Sequence, residues 1–356
     1  MLFKKDEVVF LLGAGASVEA GIPASRNMID SLEELLKNDS WKKYTSLYHY
    51  MKSSIIYADG IKGRFEYDNF NIEKLVNTLD EILKSDEHPL FPFIGSWTPK
   101  LPEVAGNDLN LLKDFRKDII RQLRDKWIQL ERNDNAKYYT GLSRFQKEYE
   151  FPLRVFSLNY DMCVEIACAE SGVERGFGDD TRWDWRVFDN EQEIESNIFL
   201  YKLHGSIDWV RNTNGELTYK DSTSRIELDS LEIIFGTTYK LQYVDPFLFL
   251  SYEFRKRTLS DAKLIIAVGY GFADDHINGI IGQSLNSSDN KKLLAVGLFD
   301  DETSECGRIK AKLAVAKEDK IVCWGIGAKE FFETSLSIEN ISKVFPEEAP
   351  PFQEVQ

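Results

Sequence analysis

Apolar and polar positions alternate in two rhythms along this chain. Val8-Val9-Phe10-Leu11-Leu12 is an unbroken apolar run, the pattern of a strand buried on both faces of a parallel sheet. Comparable runs return after Pro152, at Arg154–Leu158, Ile198–Leu203, Leu231–Phe235, Lys263–Val268, Leu293–Phe299 and Lys320–Trp324. Helical spacing separates several of them: a short helix ending near Glu170, then Phe247–Leu259, Asp275–Leu285 and Glu302–Ala316. Asn212-Thr213-Asn214-Gly215 predicts a turn, of the kind that closes a hairpin. This βαβα alternation predicts a mainly parallel, doubly wound α/β sheet covered on both faces.

From residue 38 to about 150 the alternation stops. Met28–Leu36, Asn71–Leu83 and Asp108–Arg132 carry apolar residues every three or four positions, as amphipathic helices do. Asn133-Asp134-Asn135 reads as the end of the last one. His88–Pro102, with four prolines, reads as an irregular loop, and so does Gly172–Asn190, rich in Gly, Asp and Trp. The expected organisation is therefore an α/β domain made of 1–37 and 151–340, a mostly helical insertion at 38–150, and a tail at 341–356.

Composition narrows the classes. The 356 residues are 43% hydrophobic, enough for a full core. The net charge of −15 disfavours nucleic-acid binding through the whole surface. Lys4-Lys5-Asp6-Glu7 breaks any leader-like apolar run, and no segment has the roughly 18 consecutive apolar residues of a membrane span. The four cysteines, Cys163, Cys168, Cys306 and Cys323, form no C-x-x-C pair and read as reduced residues of a cytoplasmic protein.

Candidate chemistry collects where strands end. Gly13-Ala14-Gly15 follows the first apolar run, and small residues there let a ligand approach the backbone. Ser17 reads as the cap of a short helix whose free N–H groups favour a phosphate. Gly21 suits a left-handed helix end, and Pro23 blocks continuation. Together these make a seat for a dinucleotide pyrophosphate, although Val18 stands where G-x-G-x-x-G has its third glycine. Asn159, Asp161, His204 and Gly269–Gly271 follow three other strands, and in an open parallel sheet such positions share one crevice. His204 suits general-base work, Asp161 suits a helix cap, and the Asn159 amide would point into the crevice. Asp274-Asp275 reads as a helix cap with ribose binding as the other option, and His276 as a structural or rim residue. Trp183-Asp184-Trp185 suits packing or stacking on a base. No His, Cys or carboxylate set has metal spacing, and Gly13–Ser17 is not a G-x-S-x-G elbow.

Four blocks resemble the sirtuin family, in that family's order. Gly13–Arg26 resembles its signature around the NAD pyrophosphate, and Arg26 falls where the family carries its arginine. Leu158–Asp161 resembles the Asn-x-Asp motif, Leu203-His204-Gly205 the catalytic histidine motif, and Val268–His276 the last NAD-contacting strand end of the bacterial sirtuin-like branch. The resemblance implies a Rossmann-like fold and NAD+ as substrate. Gly13, Ala14, Gly15, Ala16, Ser17, Gly21, Arg26, Gly269 and Tyr270 would contact it, with Asn159, Asp161 and His204 as catalytic residues and no metal. The sirtuin zinc ribbon is absent, and Ala24-Ser25 replace the usual Asp-Phe; both point away from protein deacylation. The helical insertion resembles anti-phage effectors that hydrolyse NAD+, commonly as oligomers and in some cases with a HerA-type ATPase or a short Argonaute. A deacylase, a non-catalytic NAD or ADP-ribose sensor and an ATPase-bound scaffold are the alternatives.

Overall fold

A computed structural model describes residues 3–63, 70–84, 100–189, 196–220, 226, 231–233 and 245–345. In chain order its main elements are β1 (Val8–Leu12), α1 (Ser25–Leu35), α2 (Thr45–Ile61), α3 (Ile72–Leu83), α4 (Lys100–Ala105), α5 (Asn110–Gln122) and α6 (Thr140–Tyr149). Then come β2 (Leu153–Ser157), α7 (Cys163–Ala167), β3 (Val173–Glu174), β4 (Ile198–Lys202), β5 (Gly205–Arg211), β6 (Leu217–Tyr219) and β7 (Leu231–Ile233). The chain closes with α8 (Phe247–Lys256), β8 (Leu264–Val268), α9 (Asp275–Ser287), β9 (Lys292–Val296), α10 (Glu302–Leu313) and β10 (Ile321–Trp324), followed by short helical turns.

Seven strands form one parallel sheet in the order β10-β9-β8-β1-β2-β4-β3. The apolar runs form its centre because every residue of β1, β2, β4, β8 and β9 is buried. Successive side chains of a strand point to opposite faces. Val8, Phe10 and Leu12 join Phe145, Tyr149 and Phe331 in one layer, whereas Val9 and Leu11 join Phe254 and Ile281 in the other. From β1 the chain builds outward through β2 and β4, then returns to β8 on the other side of β1. The strand order therefore reverses beside β1, where ligands of such sheets bind.

A third core contains Met28, Ile29 and Leu32 of α1, the apolar faces of α2, α3 and α5, and residues to Ile128. It also takes in Tyr160 and Ile207, which lie just past β2 and β4. The helical cluster thus leans against the carboxyl ends of the strands. Residues 136–149 instead pack on the sheet.

Several expectations are corrected. The helix expected over Asp108–Arg132 is α5 followed by a wider π-type turn, Leu123–Trp127, and Asn133 opens a 3-10 turn running to Tyr139. The described part of Leu231–Phe235 is no strand of the parallel sheet. It pairs antiparallel with β5, which also pairs with β6 across the expected Gly215 turn. Val173–Glu174 inside the expected loop forms the sheet edge on β4. Cys306 and Cys323 are joined as a disulfide, not reduced. Packing of α10 on β10 brings their Cα atoms to 5.9 Å although 17 positions separate them. Cys163 and Cys168 are buried and free. His88, most of the His88–Pro102 loop and the tail beyond residue 345 lie outside the described residues.

A buried ion-pair network ties the amino-terminal ends of the central strands. Arg154 of β2 is fully buried. Its Nε donates to Asp6 Oδ1 at 2.8 Å, and its guanidinium lies 4.5 Å from the Phe199 ring centroid. Arg257 Nη1 donates to the other Asp6 oxygen at 2.9 Å. Removing one partner of a buried pair leaves an uncompensated charge, at a cost of about 3–5 kcal/mol. Asp6→Ala is expected to lower unfolding free energy by about that amount, measured by urea titration.

Candidate functional site

Two strand-end loops meet backbone to backbone. Gly13 N donates to Val268 O and Gly15 N to Gly269 O, both at 2.9 Å. A Cβ on Gly13 would lie 2.6 Å from Gly269 O, and one on Gly269 would lie 2.0 Å from Ala16 N. Gly269 also has φ +62°, a conformation that side chains disfavour. The glycines thus admit the neighbouring loop, and the Gly13, Gly15 and Ala16 N–H groups are already bonded within the protein.

Residues Ala14–Ala20 form one 3-10 helix that starts after Gly13. Ser17 does not cap it, because it lies within the helix. Its hydroxyl is 2.9 Å from the Tyr139 hydroxyl and accepts from Asn159 Nδ2 at 3.1 Å. Gly21 ends the helix at φ 93°, as the sequence implies. Arg26 lies in the first turn of α1, partly exposed, 3.9 Å from Asp30.

Asn159 Nδ2 also donates to Gly13 O at 2.9 Å, so it ties the end of β2 to the glycine turn. Its Oδ1 takes no hydrogen bond from another described residue. Asp161 Oδ1 accepts from Cys163 N at 3.0 Å at the entry to α7, one residue before the cap position, which Met162 holds. Burial, reinforced by Asp161, pushes the Cys163 thiol far up, and burial pushes Cys168 to about 11. Neither is a thiolate nucleophile at neutral pH.

His204 follows β4, with its Nε2 3.4 Å from Asp274 Oδ2. Asp274 caps α9 through Oδ1, which accepts from His276 N at 3.0 Å and Ile277 N at 3.4 Å. Asp275 and His276 are exposed on the rim. Tyr270 is buried, and its hydroxyl is 2.9 Å from Asn278 Oδ1. Burial first, then Asp274, holds its phenol well above the usual range.

Sequence reasoning missed Glu73. This residue lies in the first turn of α3, where the helix dipole favours a carboxylate. Ser25 Oγ donates to it at 3.4 Å, and its carboxylate accepts from the Tyr160 hydroxyl. The Tyr160 ring lies 6.4 Å from that of His204. Burial and Glu73 together push the Tyr160 phenol well up. An acid in the first turn of a helix is ordinary, so nothing local singled Glu73 out.

The structure therefore gathers Gly13–Ser17, Asn159, Asp161, His204 and Gly269–Tyr270 around one set of strand ends, with Asp274, Tyr160 and Glu73. Ser17, Asn159, Asp161 and His204 are 1%, 8%, 6% and 4% exposed. Trp183 packs among Phe177, Phe188, Trp209 and Phe249, while Trp185 is exposed. That aromatic cluster borders a separate open cavity of about 690 Å³ lined by Arg182, Trp183 and Trp185. Among the described residues no group of three or more His, Cys, Asp or Glu could hold a metal, and no helix is long and apolar enough to cross a membrane.

Residues 153–316 match the model of a family described as SIR2-like domain. The span holds Asn159, Asp161, His204, Gly269, Tyr270 and Asp274, but not the glycine turn. Among solved structures, one of a Sir2 point mutant with a p53 peptide and NAD is similar over 94% of this chain and 92% of that chain, at 12% identity and a TM-score of 0.42. No curated protein matches.

Gly269→Ala places a methyl group against backbone and is expected to cost about 2–4 kcal/mol. Gly271, with nothing within 4 Å of a Cβ, serves as the control. Gly271→Ala should stay within about 0.5 kcal/mol of the parent by urea unfolding.

Proposed function

We propose that this chain binds NAD+ in the crevice beside β1 and hydrolyses its nicotinamide–ribose bond. The observation that carries this reading is that Asn159, bonded to the glycine turn, and His204 follow the neighbouring strands β2 and β4 beside the reversal of strand order, both within the span that matches a SIR2-like domain. In the reaction, the C1′–N bond breaks and its electron pair neutralises the pyridinium, so nicotinamide leaves. The ribose passes through an oxocarbenium-like state, and water adds at C1′. The water's second proton leaves through His204, giving ADP-ribose and returning the proton to solvent.

In this reading Asn159 Oδ1 orients the ribose or the attacking water, while its Nδ2 keeps the turn in place. Asp161 holds the nicotinamide side through the start of α7. The Ala14–Ala20 helix, Ser17, Gly21, Arg26, Gly269 and Tyr270 form the cofactor walls. With the Gly13, Gly15 and Ala16 N–H groups engaged, a phosphate would rely more on Ala14, on Arg26 and on loop movement than on a ready cradle. Burial of the catalytic groups fits a step in which excess water must be kept away.

The wider role we propose is NAD+ depletion in anti-phage defence, as a homo-oligomer working with a HerA-type ATPase or a short Argonaute. The resemblance of the helical insertion supports it.

Positioning and proton transfer are each worth about a hundredfold or more. Purified protein with NAD+ should release nicotinamide and ADP-ribose in equal amounts, measured by chromatography. Asn159→Ala and His204→Ala should each cut release at least about 100-fold while circular dichroism stays unchanged. Turnover like the parent's in either variant refutes the mechanism. Consumption of NAD+ only with an acetylated peptide would assign the chain to deacylation instead.

A further inference from the structure

We propose that Asp274 is the positioning residue of His204, an assignment that rests on reading His204 as the proton acceptor. The two side chains come from different strand ends, yet Nε2 and Oδ2 lie 3.4 Å apart, with side chains 5% and 6% exposed. A carboxylate only accepts hydrogen bonds, so the Nε2 facing it carries the hydrogen. In neutral imidazole the lone pair is then on Nδ1, which becomes the atom that takes the proton.

The carboxylate is locked for this task. Oδ1 is held by the N–H groups of His276 and Ile277, at the positive end of a thirteen-residue helix, where a negative charge is favoured. The turn before it is fixed by Tyr270, whose hydroxyl donates to the Asp274 carbonyl at 3.2 Å, and by Asn278 Nδ2, which donates to Phe272 O at 3.0 Å. One oxygen caps the helix and the other faces the imidazole. Both oxygens already face protein partners and the side chain is 6% exposed, so the positioning role accounts for the geometry better than ribose binding. The phenol of Tyr160, with Glu73 behind it, and that of Tyr270 also face this pair.

Asp274→Asn keeps a capping oxygen and presents an amide donor to Nε2 in place of the acceptor. The test is ¹⁵N–¹H correlation of the imidazole nitrogens together with steady-state kinetics. With four histidines in the chain, the His204→Gln spectrum assigns the His204 signals. Neutral His204 in the parent protein should be the Nε2–H tautomer, and in Asp274→Asn it should become Nδ1–H. The same variant should lose kcat by about 100-fold or more, with KM for NAD+ within about threefold, since Asp274 touches no substrate in this account. Asp274→Ser, also a good cap, should lose kcat without unfolding, and Asp275→Asn should match the parent. An Nδ1–H tautomer in the parent, an unmoved tautomer in Asp274→Asn, or an undiminished kcat overturns the assignment. If the parent releases no nicotinamide, the hydrolase reading fails, whereas the tautomer measurement still decides what Asp274 does.

Discussion

The contact on which the site depends is the one between the glycine turn after β1 and the loop after β8. No side chain fits there, because a Cβ on Gly13, Gly15 or Gly269 would meet backbone at under 3 Å. Through this contact the β1–β8 ladder continues past the sheet, with Gly13 N on Val268 O and Gly15 N on Gly269 O. Asn159 then reaches Gly13 O and Ser17 from the end of β2, and Tyr139, from the layer that also packs Ala16 and Ala20, closes on Ser17. One steric constraint thereby sets the spacing of three strand ends. It also changes what the glycines are for: their missing side chains make room for protein backbone.

Buried charges give the frame its second set of fixed points. Asp6 joins Arg154 and Arg257 across the amino-terminal end of the sheet. Nearer the site, Lys202 donates to the Asp161 carbonyl and lies 3.2 Å from Glu165. Arg175 donates to Asp208 at 2.7 Å beside it. Burial raises the Glu165 carboxyl against the pull of Lys202 and Arg175. Such pairs add little net stability over apolar packing but strongly penalise misplacement of either partner. That penalty holds Asp161 and the start of α7 where they are.

The helical cluster does more than cap the molecule. Its third core reaches Tyr160 and Ile207, and α3 brings Glu73 to Ser25 and Tyr160. The loop after the glycine turn and the end of β2 therefore share one carboxylate from an element far away in sequence. Movement of α3 would be felt at both.

Local physics fixed much of this in the sequence. Unbroken apolar runs identified the buried strands because parallel strands are covered on both faces. The helical period located α1, α3 and α9, and Gly21 marked a left-handed helix end. The strand ends carrying Asn159, Asp161, His204 and Gly269 were legible because an open α/β sheet has one functional edge. What lay beyond the sequence depends on pairs far apart along it. Only the folded chain shows that Gly15 faces Gly269, that Arg154 has Asp6, that Cys306 meets Cys323, and that β5 leaves the sheet directly after His204. It alone brings Glu73 to Tyr160 and sets Asp274, which caps α9, beside His204. Periodicity and capping are written within a few residues, whereas the partner of a buried polar group is chosen by how the layers pack.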